Sequence, residues 1–117
     1  RDGVFFGGII APGVRTSAET LFRRTSKLPA TELVAPERAI GTRTDTNIRS
    51  GVMLGAAESI DGLVRRIKAE WPGDETPIVI ATGGLAESFR DLCRSFDVVD
   101  PYLTLVGLNL AFALLVR

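Results

Sequence analysis

Between residues 45 and 71 apolar side chains recur every three or four positions, at Ile48, Val52, Ala56, Ile60, Leu63, Val64 and Ile67. That is the period of one face of an α-helix, and Met53 and Ala57 widen the face. Pro72-Gly73 stops the run. A helix this long commits much of a 117-residue chain to a packing spine or a dimer element. Asp61 and Arg65 stand four apart in the acid-first order that supports an exposed helix face.

Strand-like text surrounds the spine. Residues 3–10 are apolar with Gly7-Gly8 in the middle, which reads as strand, bend and strand. Pro12-Gly13 marks a turn, and residues 14–26 read as a short surface helix carrying Leu21 and Phe22. Residues 27–43 read as an ordered surface loop, with Pro29 and Pro36 flanking a short strand at residues 32–34. The β-branched run at residues 77–81 reads as a buried strand that ends in Thr82-Gly83-Gly84 before a helix over residues 85–93. A second short strand is expected at residues 97–100. Pro101 then prepares a final helix from about Leu103 whose uncharged composition reads as buried. Alternating strands and helices point to an α/β architecture in one domain, residues 1–117.

Composition narrows function. Acidic and basic residues cancel at 14 each, so the chain lacks the basic footprint of nucleic-acid binding. Histidine is absent, which removes the commonest general base near neutral pH and a histidine-based metal site. The apolar run at residues 103–116 is shorter than the roughly 20 residues that span a bilayer, so no membrane partner is expected. A single cysteine, Cys93, and no basic-then-apolar leader point to a reducing, cytoplasmic setting. Cys93 reads as packed rather than reactive. Because the sequence opens on Arg1 and enters strand-like text at once, more chain is expected upstream.

Three stretches carry candidate chemistry, each with a plainer alternative. Thr82, Gly83 and Gly84 follow a strand, where open α/β sheets bind ligands, or form only a tight strand-to-helix turn. Gly7, Gly8 and Gly13 with Pro12 specify a backbone path that a ligand approaches closely, or a bulged strand leaving its sheet. Gly41-Thr42-Arg43-Thr44 gathers hydroxyls and N–H groups at the positive end of the long helix, suited to an anionic or hydroxyl-bearing substrate. There Thr44, Asp45 or Thr46 equally serves as an N-cap, and Arg43 either meets a carboxylate or phosphate or stays solvated.

In this order the stretches resemble the type III pantothenate kinase family, in which Gly-Gly-x-Ile-x-Pro-Gly leads to a Gly-Lys-Asn-Thr box and a long helix. The box here is Gly41-Thr42-Arg43-Thr44. The resemblance continues through Ser59-Ile60-Asp61-Gly62-Leu63-Val64-Arg65-Arg66-Ile67, the Ile80-Ala81-Thr82-Gly83-Gly84 strand end, and Asp100-Pro101-Tyr102-Leu103-Thr104-Leu105-Val106-Gly107-Leu108, and covers nearly the whole chain. It implies the C-terminal lobe of an actin-like, sugar-kinase-like (ribonuclease H-like) kinase that phosphorylates pantothenate with ATP, the first step of coenzyme A synthesis. It implies Mg2+ and a monovalent cation (K+ or NH4+) as cofactors, and a homodimer or a heteromer with a chain supplying the N-terminal lobe. By the same resemblance Thr44 contacts pantothenate, and Gly7, Gly8, Thr82, Gly83 and Gly84 lie on the nucleotide side. The family's phosphate loop, catalytic aspartate and cation-binding aspartate match nothing here, so the chain alone is expected to be inactive and to hold no metal itself. Thr42-Arg43 in place of Lys-Asn shifts the box's cation by one position. The competing expectations are a non-catalytic paralogue or regulatory subunit, and a structural dimerisation piece.

Overall fold

The computed structural model describes residues 3–24 and 31–116. Its elements are α1 (Val14–Arg24), α2 (Thr44–Glu70), β1 (Ile80–Ala81), α3 (Ala86–Phe89), β2 (Val98–Val99) and α4 (Leu103–Leu115). The expectations at residues 25–30 lie outside the described residues.

The predicted spine is α2, 27 residues long. Its buried side is the widened apolar face that the sequence marks. Met53 is fully enclosed and Ala57 is 3% exposed, and both join Phe89 and Cys93 in the core. Val14, Leu33, Ile60, Leu85, Leu92 and Phe96 pack around this cluster. Ala56 packs against this cluster as well, and with the buried Val52 and with Ile48 it also lines a groove beside α1. Full burial of a side chain the size of Met53 contributes about 1.5–3 kcal/mol, so the core is real but small.

β1 and β2 pair in parallel, Ile80 with Val98 and Ala81 with Val99. The Asp97 carboxylate accepts the Val79 amide at 2.8 Å and lies 4.0 Å from Lys68 Nζ, tying the start of the sheet to the last turn of α2. Parallel strands require a crossover, and α3 provides it. β1 is shorter than the run at residues 77–81 and buries one face only: Ala81 is inside, while Ile78 and Ile80 are exposed. A β-branched run therefore reported strand propensity correctly but not burial on both sides.

Four further expectations are corrected. Residues 4–10 form no strand; Phe5 and Ile10 are exposed, and Phe6 alone of these aromatics meets a ring, Trp71 at 5.6 Å. A strand exists only against a partner, and the described residues offer one sheet, β1–β2. Residues 32–34 are likewise irregular. α3 stops at Phe89, so Cys93 lies beyond the helix, although buried as expected. α4 forms where Pro101 prepares it, with the Asp100 carboxylate accepting the Tyr102 amide at 2.8 Å, yet none of its residues is buried. Its apolar composition reports what it can bury, not what covers it.

Asp61 does not pair with Arg65 either. Its carboxylate accepts the Arg94 and Ser95 amides at 2.9 and 3.0 Å and the Ser95 hydroxyl at 2.6 Å, holding the loop after α3 against α2. Burial pushes the Asp61 carboxyl up, but these hydrogen bonds and the Arg94 charge outweigh it and leave the group below its ordinary value. Two directed amides and a hydroxyl outcompete one solvated guanidinium.

Candidate functional site

The turn into α2 is built around Thr46. Its hydroxyl accepts the amides of Thr42 and Arg43 at 3.1 and 3.0 Å and donates to the Arg43 carbonyl at 2.9 Å. Arg43 takes the extended N-cap conformation, φ −134° and ψ 158°. Of the three residues proposed to serve the first turn, Thr46 therefore does so from inside the helix. Arg43 finds a carboxylate within its own chain: its Nε donates to Asp45 at 3.1 Å.

Glycine at position 41 is fixed by close approach. A Cβ there would stand 2.6 Å from the Asn47 amide nitrogen and 2.7 Å from the Thr46 carbonyl carbon. Upstream, the Ser50 hydroxyl donates to the Ala39 carbonyl. Loop and helix start are thus one rigid unit, and the exposed Thr44 side chain has no hydrogen-bond partner among the described residues.

At the far end of α2, Gly7 and Gly8 line a recess of about 280 Å³ with Phe6, Ile9, Ile67, Glu70 and Trp71. Gly7 has φ 124°, a backbone that side-chain-bearing residues rarely adopt. Thr82, Gly83 and Gly84 follow β1 and are all exposed. Gly83 has φ 98° and its carbonyl accepts the Ala86 amide at 3.1 Å, closing a tight turn into α3. The short α3 is then held by a forked pair from Arg90 to Glu87, 2.8 Å on each arm.

The three candidate stretches are not brought to one cleft within the described residues. Gly7-Gly8 flank the last turns of α2, whereas Thr44 opens it, and at 1.5 Å per residue the helix separates these two by about 40 Å. The Thr82-Gly83-Gly84 turn leads into Leu85, which packs against Met53 and Ala57 midway along α2. Sequence reading offered Thr46 beside Thr44 and Asp45 for the first turn and missed Arg38 and Arg49 as neighbours of the box, which nothing local marks. No group of three His, Cys, Asp or Glu side chains converges among the described residues.

Fold and turns together define a mixed α/β unit that presents glycine and hydroxyl residues at the ends of its elements, the loop-borne surface on which α/β proteins hold ligands. The chain belongs to the type III pantothenate kinase family, whose family model matches residues 1–66. It is 47% identical over 108 residues to the type III pantothenate kinase of Deinococcus radiodurans, 92% of this chain and 40% of that protein. It is 49% identical over 110 residues to that of Roseiflexus castenholzii, 94% of this chain and 42% of the relative. Against a Thermus thermophilus protein of the same name it is 50% identical over 104 residues, 89% and 40%. The chain spans about two-fifths of the length of these relatives, in their C-terminal part. No helix among the described residues is long and apolar enough to cross a membrane.

Proposed function

We propose that this chain is the C-terminal lobe of an ATP-dependent pantothenate kinase, with an actin-like, sugar-kinase-like fold completed by an N-terminal lobe. The observation that carries the reading is Thr44. Thr46 takes over the capping, Asp45 engages Arg43, and the Thr44 hydroxyl is left exposed on a rigid turn at the positive end of α2. A hydroxyl so placed suits a polar substrate that must be held still while its own hydroxyl is phosphorylated.

Phosphoryl transfer depends on positioning and on neutralising the charge of the transferring group, so two lobes must close on ATP and substrate together. In this reading Thr44 orients pantothenate, and Thr82, Gly83 and Gly84 with Gly7 and Gly8 give the nucleotide side low-bulk backbone. The residues present do not fit a resident Mg2+ or monovalent-cation cage, since no acidic cluster converges among those described. Any metal chemistry belongs to ATP and to the complementary lobe, which also supplies the base. The lobe arrives as part of one longer chain in a homodimer, or as a separate subunit.

One observation favours a second reading. The box cation is Arg43 rather than the family's lysine, and it is tied to Asp45. A paralogue that keeps the fold as a regulatory subunit without turnover would tolerate that change. Pantothenate-dependent ADP release separates the two. With a complementary N-terminal lobe present the kinase reading expects release that requires pantothenate. A folded, assembled complex that releases none leaves the regulatory reading.

A further inference from the structure

Beside the Thr46 turn, on walls that Thr44 does not form, lies a hollow of about 350 Å³ between residues 36–42 and the first two turns of α2. Its walls include Arg38, Ile40, Gly41, Thr46 and Arg49. They are pinned on two sides, by Ser50 on Ala39 and by Thr46 on the amides of Thr42 and Arg43. A loop fixed at both ends does not readily collapse into the space it borders.

The charges in this hollow are unbalanced. Arg43, just outside it, is neutralised by Asp45. Neither Arg38 nor Arg49 has an acidic partner among the described residues, and Arg49 Nε is closed off from solvent with no acceptor. Glu37 also lines the hollow, but it is exposed and pairs with neither arginine. A buried charged donor left without an acceptor is unfavourable, and a guanidinium presents a planar fork that matches carboxylate and phosphate oxygens. The N-terminal end of α2 lies on the same side and adds to the positive potential.

We propose that this hollow is an oxyanion site in which Arg49 and Arg38 together hold the carboxylate or phosphate group of a small molecule. Binding turns the Arg49 side chain so that its Nε, closed off from solvent in the free chain, meets the anion, and Arg38 closes over it from the loop. The volume sits at the low end of the range for small-molecule sites, about 300 Å³ upward, which suits one anionic group with a short attachment. The site stands independently of the pantothenate kinase reading, because Thr44 forms no part of it.

Calorimetric titration of the purified chain at low salt tests the site, with inorganic phosphate in one arm and pantothenate, as a carboxylate, in the other. One of the two saturates a single site. Arg49→Gln and Arg38→Gln each weaken that binding by about tenfold or more, the loss expected for a hydrogen bond to a charged group. Arg66→Gln, on an exposed turn outside the hollow, leaves it unchanged, and Glu37→Gln leaves it unchanged or strengthens it. Saturation by phosphate alone identifies a phosphate group as ligand; saturation by pantothenate alone identifies a carboxylate. Melting curves of each variant verify folding, and should Arg49→Gln fail to fold, Arg38→Gln carries the same comparison. The proposal is overturned if neither probe saturates below about 10 mM. It is equally overturned if Arg66→Gln weakens binding as much as the two hollow arginines do.

Discussion

Single side chains decide how this chain is held together. Gly41→Ala places a methyl group against the backbone of Thr46 and Asn47, neither of which is a flexible side-chain tip that can swing away. Overpacking of this kind costs about 1–3 kcal/mol, and a urea melt of the variant should show a midpoint lowered to match with the slope unchanged. Asp61 gives a pH signature. Its folded carboxyl titrates below the ordinary 3.8, so its contribution to stability is complete above about pH 4 and is lost as pH falls through the folded value. Asp61→Asn should lose about 1–2 kcal/mol at pH 7 and show a smaller fall in stability on acidification than the unmodified chain. Cys93 is pushed up to about 11 by burial, with Asp61 and Glu58 adding to the effect. Iodoacetamide at pH 8 should leave the native chain unlabelled and label it after unfolding; rapid native labelling would contradict the burial. The packing of Cys93 was legible because a free cysteine behaves as a small hydrophobe, and it is 6% exposed. It did not show what Asp61 binds, because helical spacing suggests Arg65 while the true partners lie 33 and 34 positions away.

Among the elements, helices were the legible part. α1, α2 and α4 form within a residue or two of where periodicity, Pro12-Gly13, Pro72-Gly73 and Pro101 place them, since helical hydrogen bonds close locally. Residues 4–10 failed as a strand for the converse reason: β-propensity describes fitness for a sheet, and the ladder partner is not encoded nearby. Register was legible only once both short strands were seen to pair in parallel. The long helix buries the face its sequence marks: Met53 and Ala57 join the core, and Ala56 and Ile60 pack against it. α4 departs from its composition. Leu105, Leu108 and Phe112 are each more than 60% exposed, so replacing all three by Gln should change the stability of the chain by no more than about 0.5 kcal/mol per site. Binding of an apolar dye should fall in the same variant. A large loss of stability would mean that α4 is packed against the rest of the chain.

At the scale of the molecule, the radius of gyration is 17.4 Å, against about 13 Å for a compact domain of this length. The chain extends 55 Å along its longest axis. Apolar surface is exposed on residues 4–10, on one face of β1 and along α4 at once. These are the surfaces that a complementary lobe would cover in the proposed kinase, and they agree with the chain's share of its relatives' length. Family membership was readable from ordered motifs. Which surfaces are left uncovered was not, because burial depends on residues far apart or outside the chain.

The central claim is that Thr44 positions pantothenate for phosphorylation. It is tested most directly in the Deinococcus radiodurans relative with this chain exchanged for its matched stretch, by following ADP release with and without pantothenate. The account predicts release that requires pantothenate and that falls about a hundredfold in kcat/KM on Thr44→Ala, the loss of a hydrogen bond from a charged or tightly held transition-state complex. A folded chimera whose ADP release is indifferent to pantothenate, or unchanged by Thr44→Ala, would contradict it.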